Sequence, residues 1–259
     1  MLVHIAHANG IPGASYQPVI DRLKPHSGFA IPRLGHDPRY PFTHNWRGLI
    51  EELIAYLEQH ASEPVVGVGH SLGSIVTFIC ACKRPDLFRG VLMLDPPLMW
   101  GKMAWSFKLM KLLGRADDVT PAGKSKHRRR SWETREAALA YFRSKRLFQF
   151  HPDCFDAFFN AAVEPAEGES VKLYFDVDVE VGIFRNTPDN LKSYNKPCNL
   201  PFRLIYADNS DASFASMIMP FCKHFDIPWE KISGEHMYPL QQPDLTAQLI
   251  QRFINEECR

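Results

Sequence analysis

The chain has 259 residues, 45% of them hydrophobic and 23% charged, with 30 Lys and Arg against 29 Asp and Glu for a formal charge of +1. That length suits one core with a subordinate insertion and is short for two full domains. The balance excludes a disordered chain and gives no global attraction to nucleic acid or another polyanion.

The opening Met1-Leu2-Val3-His4-Ile5-Ala6-His7 has no basic leader, no long apolar run and no cleavage pattern, so a reduced, cytoplasmic protein is expected. Six cysteines in a chain of this size make no disulfide framework. Cys80 and Cys82, two apart on an expected helix, point to different faces and do not share a metal. No uncharged apolar stretch reaches membrane-spanning length. The expected partner is a small-molecule substrate, with no nucleic acid and no membrane, and the chain is read as a monomer or homodimer.

Short apolar runs alternate with helix-period segments, the pattern of a parallel sheet with crossover helices. Leu2–Ala6 is the first expected strand, ending in the loop His7-Ala8-Asn9-Gly10. Phe29–Leu34 is the second, and a helix follows in which Leu49, Ile50, Leu53, Ile54 and Leu57 form one stripe. Val65–Val68 is a buried strand, Leu72–Lys83 a helix stopped by Pro85, and Gly90–Leu94 a strand. Near the other end come a strand at Phe202–Ala207, a helix at Phe214–Phe225, a strand at Trp229–Ile232 and an amphipathic helix at Leu245–Ile254. Between them the alternation breaks. Residues 98–194 read as a mainly helical insertion, rich in aromatics such as Trp132, Phe142, Phe155 and Phe158, which as a group suggest a lid with an apolar underside. The core is then 1–97 with 195–259.

The chemistry is carried by Gly69-His70-Ser71-Leu72-Gly73, set between a buried strand and a helix. A nucleophile on so tight a turn leaves no room for side chains two residues to either side. The turn exposes Ser71 Oγ and aims the helix N-terminus at the reaction centre, with the Leu72 N–H placed to receive a developing oxyanion. Serine needs a base near neutral pH, and of eleven histidines His236 is the candidate, in the loop Gly234-Glu235-His236-Met237-Tyr238-Pro239-Leu240 after the last strand. His70 adjoins the serine, but neighbours on this turn diverge. The acid that orients His236 is read as Asp211, after the Phe202–Ala207 strand, with Asp95 at the end of the Gly90–Leu94 strand as its rival. Asp208 is read as an Asx turn residue. A second oxyanion donor is expected from the loop after the first strand, preferably the Ile11 N–H, with Asn9 as helper and Gly10 allowing close approach. The basic run Lys124-Ser125-Lys126-His127-Arg128-Arg129-Arg130 is read as a solvated surface.

On these residues the chain resembles the α/β-hydrolase fold family over essentially its whole length. The resemblance rests on the elbow around Ser71, the late His236 loop, Ser210-Asp211 and the loop at Asn9-Gly10. It implies the order nucleophile, acid, base and a helical cap from about Leu98 to Tyr194. Two leading strands common in that family are missing, which leaves about six parallel strands. Ser71 at the elbow disfavours relatives with an aspartate nucleophile. The implied activity is hydrolysis of an ester-like acyl bond of a small, largely apolar substrate, with no metal or cofactor. Thioesters, lactones and carbon–carbon bonds flanked by carbonyls stay open on the same constellation. So do a ligand-sensing signalling protein and a cofactor-free perhydrolase.

Overall fold

The computed structural model describes residues 1–258. In chain order the first part comprises β1 (Leu2–Ala6), α1 (Gln17–Asp21), β2 (Ser27–Ala30), α2 (Arg47–His60), β3 (Val65–His70), α3 (Leu72–Lys83) and β4 (Phe88–Leu94). The stretch 98–194 holds α4 (Gly101–Leu112), α5 (Ala122–Ser125), β5 (Ser131–Trp132), α6 (Arg135–Arg143), α7 (Pro152–Ala162), β6 (Val163–Pro165), β7 (Val171–Leu173) and α8 (Val177–Arg185). The chain closes with β8 (Phe202–Ala207), α9 (Ala215–Phe225), β9 (Trp229–Ile232), α10 (Tyr238–Gln241) and α11 (Pro243–Glu257).

Six strands form one sheet in the order β2-β1-β3-β4-β8-β9, and every neighbouring pair is parallel. The α/β architecture with six parallel strands is therefore as expected. Successive residues point to opposite faces of the sheet. Val66, Val68, Leu92, Leu94 and Ile205 enter one apolar cluster, and Val65, Val91, Met93, Leu204 and Tyr206 enter the other. Helices cover both faces, which is why β3 and β4 read as continuous apolar runs rather than alternating ones.

The second strand starts two residues before the expected Phe29–Leu34 and ends four residues before it. Pro32 has no N–H to donate to a ladder, and its carbonyl instead accepts the Gly13 N–H at 2.9 Å. Residues 98–194 hold the helices α4 to α8 and also a three-stranded antiparallel sheet in the order β5-β7-β6. Its strands are two or three residues long, too short for any alternation to announce them. The aromatics of this stretch pack on each other: Phe142 meets Trp132, Phe148 and Phe158 at ring separations of 5.2, 5.0 and 5.3 Å. All four are buried in the same cluster as one face of the sheet. These rings serve as core, not as a free apolar underside.

Three imidazoles, His4, His7 and His70, are fully buried, and burial pulls their pKa values down to about 3, 4 and 3. Buried Glu52 moves the other way, up to about 7. Unfolded, the imidazoles titrate near 6.5 and the carboxyl near 4.5. Between those pH values the unfolded chain carries three more protons on the imidazoles and one fewer on Glu52. Stability from this set is thus present above pH 6.5 and falls on acidification, the three imidazoles outweighing the opposite effect of Glu52. Thermal melts between neutrality and mild acid will show Tm dropping steadily across this window; a level Tm would mean that these imidazoles titrate normally in the fold.

Candidate active site

The site lies beyond the carboxyl ends of β3, β4 and β9, where a parallel sheet exposes its loops. β3 runs straight into α3 through Ser71, whose backbone has φ +54° and ψ −118°. Such a conformation is strained for a residue with a side chain. The two glycines of the turn explain how it is tolerated. A Cβ on Gly69 would stand 2.3 Å from Ser74 Cα, and one on Gly73 would stand 2.0 Å from the Ala6 carbonyl oxygen. The Ser71 N–H donates to Leu94 O at 2.9 Å and the Gly73 N–H to His7 O at 3.2 Å, fastening the turn to both neighbouring strands. Ser71 itself is only 8% exposed.

His236 Nε2 lies 3.0 Å from Ser71 Oγ, and its Nδ1 lies 2.6 Å from Asp95 Oδ2. With the Asp95 carboxylate as acceptor, Nδ1 carries the proton and Nε2 is left free to accept the Ser71 hydroxyl hydrogen. Asp95 is fully buried. Its Oδ1 accepts the Ala207 N–H at 2.8 Å, and its Oδ2 also accepts the Ser210 hydroxyl at 2.5 Å. The preferred acid of the sequence reading is displaced here. Asp211 is exposed on the surface, and its neighbour Ser210 is the residue that turns inward. Adjacent residues on this loop diverge, so only one of the pair can reach the site. Asp95, the rival, gains its reach from a backbone at φ +48°, a left-handed conformation that Asp tolerates better than most residues. Asp208 does not close a local turn; its Oδ1 accepts the Gly234 N–H at 3.0 Å and so ties the β8 loop to the His236 loop.

The Leu72 N–H is the first of α3 and has no partner within the helix. The Ile11 N–H, the expected second donor, is engaged: it closes a turn onto Ala8 O at 3.1 Å. The Ala8 N–H donates to Tyr16 Oη at 3.2 Å. Of the loop amides, those of Asn9 and Gly10 are left without a protein acceptor among the described residues. The Asn9 side chain is not a free helper, since its Nδ2 donates to Glu180 O at 3.0 Å. Gly10, at φ +74°, faces Glu180 Oε2 and Arg128 Nη1, which a Cβ there would approach to 2.9 and 3.0 Å. Arg128 and Glu180 form a largely buried ion pair at 2.6 Å. The basic run is thus not simply solvated. Arg128 docks beside the loop at Asn9-Gly10, Arg130 pairs with Asp178 and Lys126 with Asp117.

His70 points away from Ser71 and into a buried chain that the motif alone does not reveal. Its Nε2 donates to the carbonyl of His236 at 2.9 Å, and its Nδ1 accepts from Tyr16 Oη at 2.6 Å. Tyr16 Oη accepts in turn from Ala8. The carbonyl can only accept and the Ala8 amide can only donate, so every hydrogen in the chain has one direction. Burial holds His70 neutral, with its pKa down at about 3. His70 therefore locks the loop bearing His236 to the loop bearing Asn9. His7 does similar work nearby: its Nε2 accepts the Leu34 N–H at 2.8 Å and its Nδ1 donates to Ala8 O at 2.8 Å. Among the described residues no group of three or more His, Cys, Asp or Glu is gathered that could hold a metal ion.

The family model described as the alpha/beta hydrolase family matches residues 2–249 of this chain. The chain is 26% identical over 194 residues to the type I acyl-CoA thioesterase mpaH of Penicillium roqueforti (strain FM164). That match covers 66% of this chain but only 43% of the fungal protein, so the chain spans less than half the length of that curated relative. Among solved structures it is similar to E-2-(acetamidomethylene)succinate hydrolase, with TM-score 0.78 and 19% identity over 98% of this chain and 91% of that one. It is also similar to the thioesterase domain from the curacin biosynthetic pathway, with TM-score 0.73 and 16% identity over 96% and 90% of the two chains. At these identities the structural likeness concerns the fold.

Removing the Tyr16 hydroxyl leaves both the Ala8 N–H and His70 Nδ1 buried without partners. Tyr16→Phe is expected to lower the unfolding free energy by about 1–3 kcal/mol in denaturant titrations. A change within error would mean that the Tyr16–His70 chain does not hold the two loops.

Proposed function

Because the chain belongs to the alpha/beta hydrolase family, we propose that it is a serine hydrolase that cleaves an ester-like acyl bond through an acyl-enzyme, with Ser71 as nucleophile, His236 as base and Asp95 as the acid that orients the base. The observation that carries this reading is the continuous relay from Ser71 Oγ through the two nitrogens of His236 to Asp95, at 3.0 and 2.6 Å.

In this mechanism Ser71 Oγ attacks the carbonyl carbon as its proton passes to His236 Nε2. The imidazolium so formed is stabilised by the Asp95 carboxylate, which stays ionised. The carbonyl oxygen becomes an oxyanion, received by the Leu72 N–H at the start of α3 and by a second amide from the loop after β1. Ile11 is excluded from that second role by its bond to Ala8, which leaves Asn9 and Gly10. His236 then returns its proton to the leaving oxygen or sulfur as the bond to carbon breaks. A water, deprotonated by the same nitrogen, releases the acid and regenerates Ser71.

Residues 98–194 act as the cap in this reading. They brace the loop after β1 through Glu180 and Arg128, and they reach the His236 loop through an ion pair between Arg146 and Glu235. A thioester is favoured within the ester-like class by two of the similarities: the curated relative is an acyl-CoA thioesterase, and one structural neighbour is a thioesterase domain.

Steady-state assays with p-nitrophenyl esters and with acyl-CoA thioesters test the proposal. Ser71→Ala is expected to lower kcat by about a thousandfold or more on whichever class is turned over, and Asp95→Asn by a comparable factor. Asp211→Asn should stay within about twofold of the parent, since exposed substitutions away from a site change little. Collapse of Asp211→Asn with Asp95→Asn intact would overturn the acid assignment. A faster kcat/KM on oxygen esters than on thioesters of the same acyl chain would overturn the thioester preference.

A further inference from the structure

One helix face has no partner in the fold. In α4 the only buried residue is Phe107. Trp105 is 70% exposed and Leu112 77%, with Leu109 and Leu113 also exposed. At 100° per residue these four lie within an arc of about 100°, one stripe down the outer side of the helix. The opposite side is firmly attached. Phe107 is buried there, and Lys111 pairs with buried Asp189 at 2.6 Å while donating to Asn45 Oδ1 and Thr187 O. The outward orientation of the stripe is therefore fixed by the inner face. The helix also ends cleanly: Gly114, at φ +69°, donates to Lys111 O, and Arg115 donates to Met110 O, closing the last turn.

Charge narrows what can cover the stripe. Between Asp95 and Asp117 the chain has no acidic residue, but it has Lys102, Lys108, Lys111 and Arg115. Lys111 faces inward, and Arg115 pairs with Asp118. Lys102 and Lys108 are exposed, the first continuing the stripe toward the helix N-terminus and the second bordering it along one side, and neither makes an ion pair among the described residues. A second copy of this chain, docked through the same stripe, would bring another surface that carries Lys102 and Lys108 and no acidic residue between Asp95 and Asp117. A surface that is apolar at its centre and negative at its rim has no such conflict. An exposed Trp beside Leu side chains, with Lys at the margins, is the composition of a helix lying in a lipid headgroup region.

We propose that α4 is a membrane-contacting helix that seats Trp105, Leu109, Leu112 and Leu113 in the surface of an anionic lipid bilayer, with Lys102 and Lys108 on the headgroups. The contact is peripheral: no helix among the described residues is long and apolar enough to cross a membrane. This departs from the expectation, drawn from the sequence, of a chain with no membrane partner. Periodicity alone assigns the apolar residues of α4 to a core, and only the fold shows that half of them face outward.

The test is co-sedimentation of the full chain with vesicles of phosphatidylcholine alone and of phosphatidylcholine mixed with phosphatidylserine. Binding to the anionic vesicles should be about thirtyfold tighter, from two lysines at the surface, and should weaken with added salt. Trp105→Glu combined with Leu112→Glu should abolish binding, and Lys102→Glu combined with Lys108→Glu should erase the preference for the anionic vesicles. All four residues are exposed, so both variants should keep the parent's Tm. Ser71→Ala should bind vesicles like the parent, which separates this inference from the catalytic proposal. If the parent stays in the supernatant with both vesicle types, or binds both equally, the proposal fails. It fails also if the parent is a dimer in solution that Trp105→Glu with Leu112→Glu breaks, because a second copy then covers the stripe.

Discussion

The approach of α3 to β1 at Gly73, where a Cβ would sit 2.0 Å from the Ala6 carbonyl, sets the geometry of everything around Ser71. The helix can come that close only without a side chain at this position. Because it does, the turn between β3 and α3 is too short for relaxed dihedrals and Ser71 takes up the strain. The same closeness brings the start of α3 beside the loop after β1, so one packing contact places the nucleophile, its first amide and the neighbouring loop together. The sheet supplies the rest. β3 and β4 are adjacent, so Asp95 leaves its strand next to the strand that delivers Ser71, and the His236 loop has to cross only from β9.

Charge in this part of the molecule is arranged by burial and direction rather than by number. His70, His7 and His4 are neutral, and for His70 and His7 each ring nitrogen has a single acceptor or donor that fixes its tautomer. His236 alone among the central imidazoles contacts a carboxylate. Four imidazoles in one neighbourhood would repel one another if all were protonated, and burial keeps three of them neutral. Glu180 and Arg128 add a compensated pair at the rim, so the loop at Asn9-Gly10 is braced without a net charge facing it.

Most of the sheet was legible because a buried parallel strand is a short apolar run with loop signals at both ends. β8, β9 and α3 fall at the residues their patterns mark. Ser71 and His236 were legible for a different reason: their places are set by strand ends and flanking glycines, which are local. The acid was not, because two carboxylates sat at plausible strand ends, and which one reaches the imidazole depends on loop dihedrals that no periodicity encodes. The signal for Asp95 is its position at the end of the strand next to the one that carries Ser71, and it is masked because Asp95-Pro96-Pro97 is also a sequence that opens a turn. Ile11 failed for a similar reason, as the turn that presents this loop consumes its amide. The partner of Arg128 lies 52 residues away at Glu180, so the run of basic residues could not be told from a solvated surface.

The position of Asp95 has a consequence for how the chain is divided. Ser71 and Asp95 both precede residue 98, and only His236 of the three hydrogen-bonded residues follows residue 194. The long insertion therefore separates two halves of unequal chemical content. The first holds the strained turn at Ser71 and the Asp95 carboxylate on adjacent strands. The second brings one imidazole, guided into place by Ser210, Asp208 and the carbonyl that His70 grips. Insertions of different length or shape can be exchanged at that seam without disturbing the spacing of serine and carboxylate, because the adjacent strands β3 and β4 alone set that spacing.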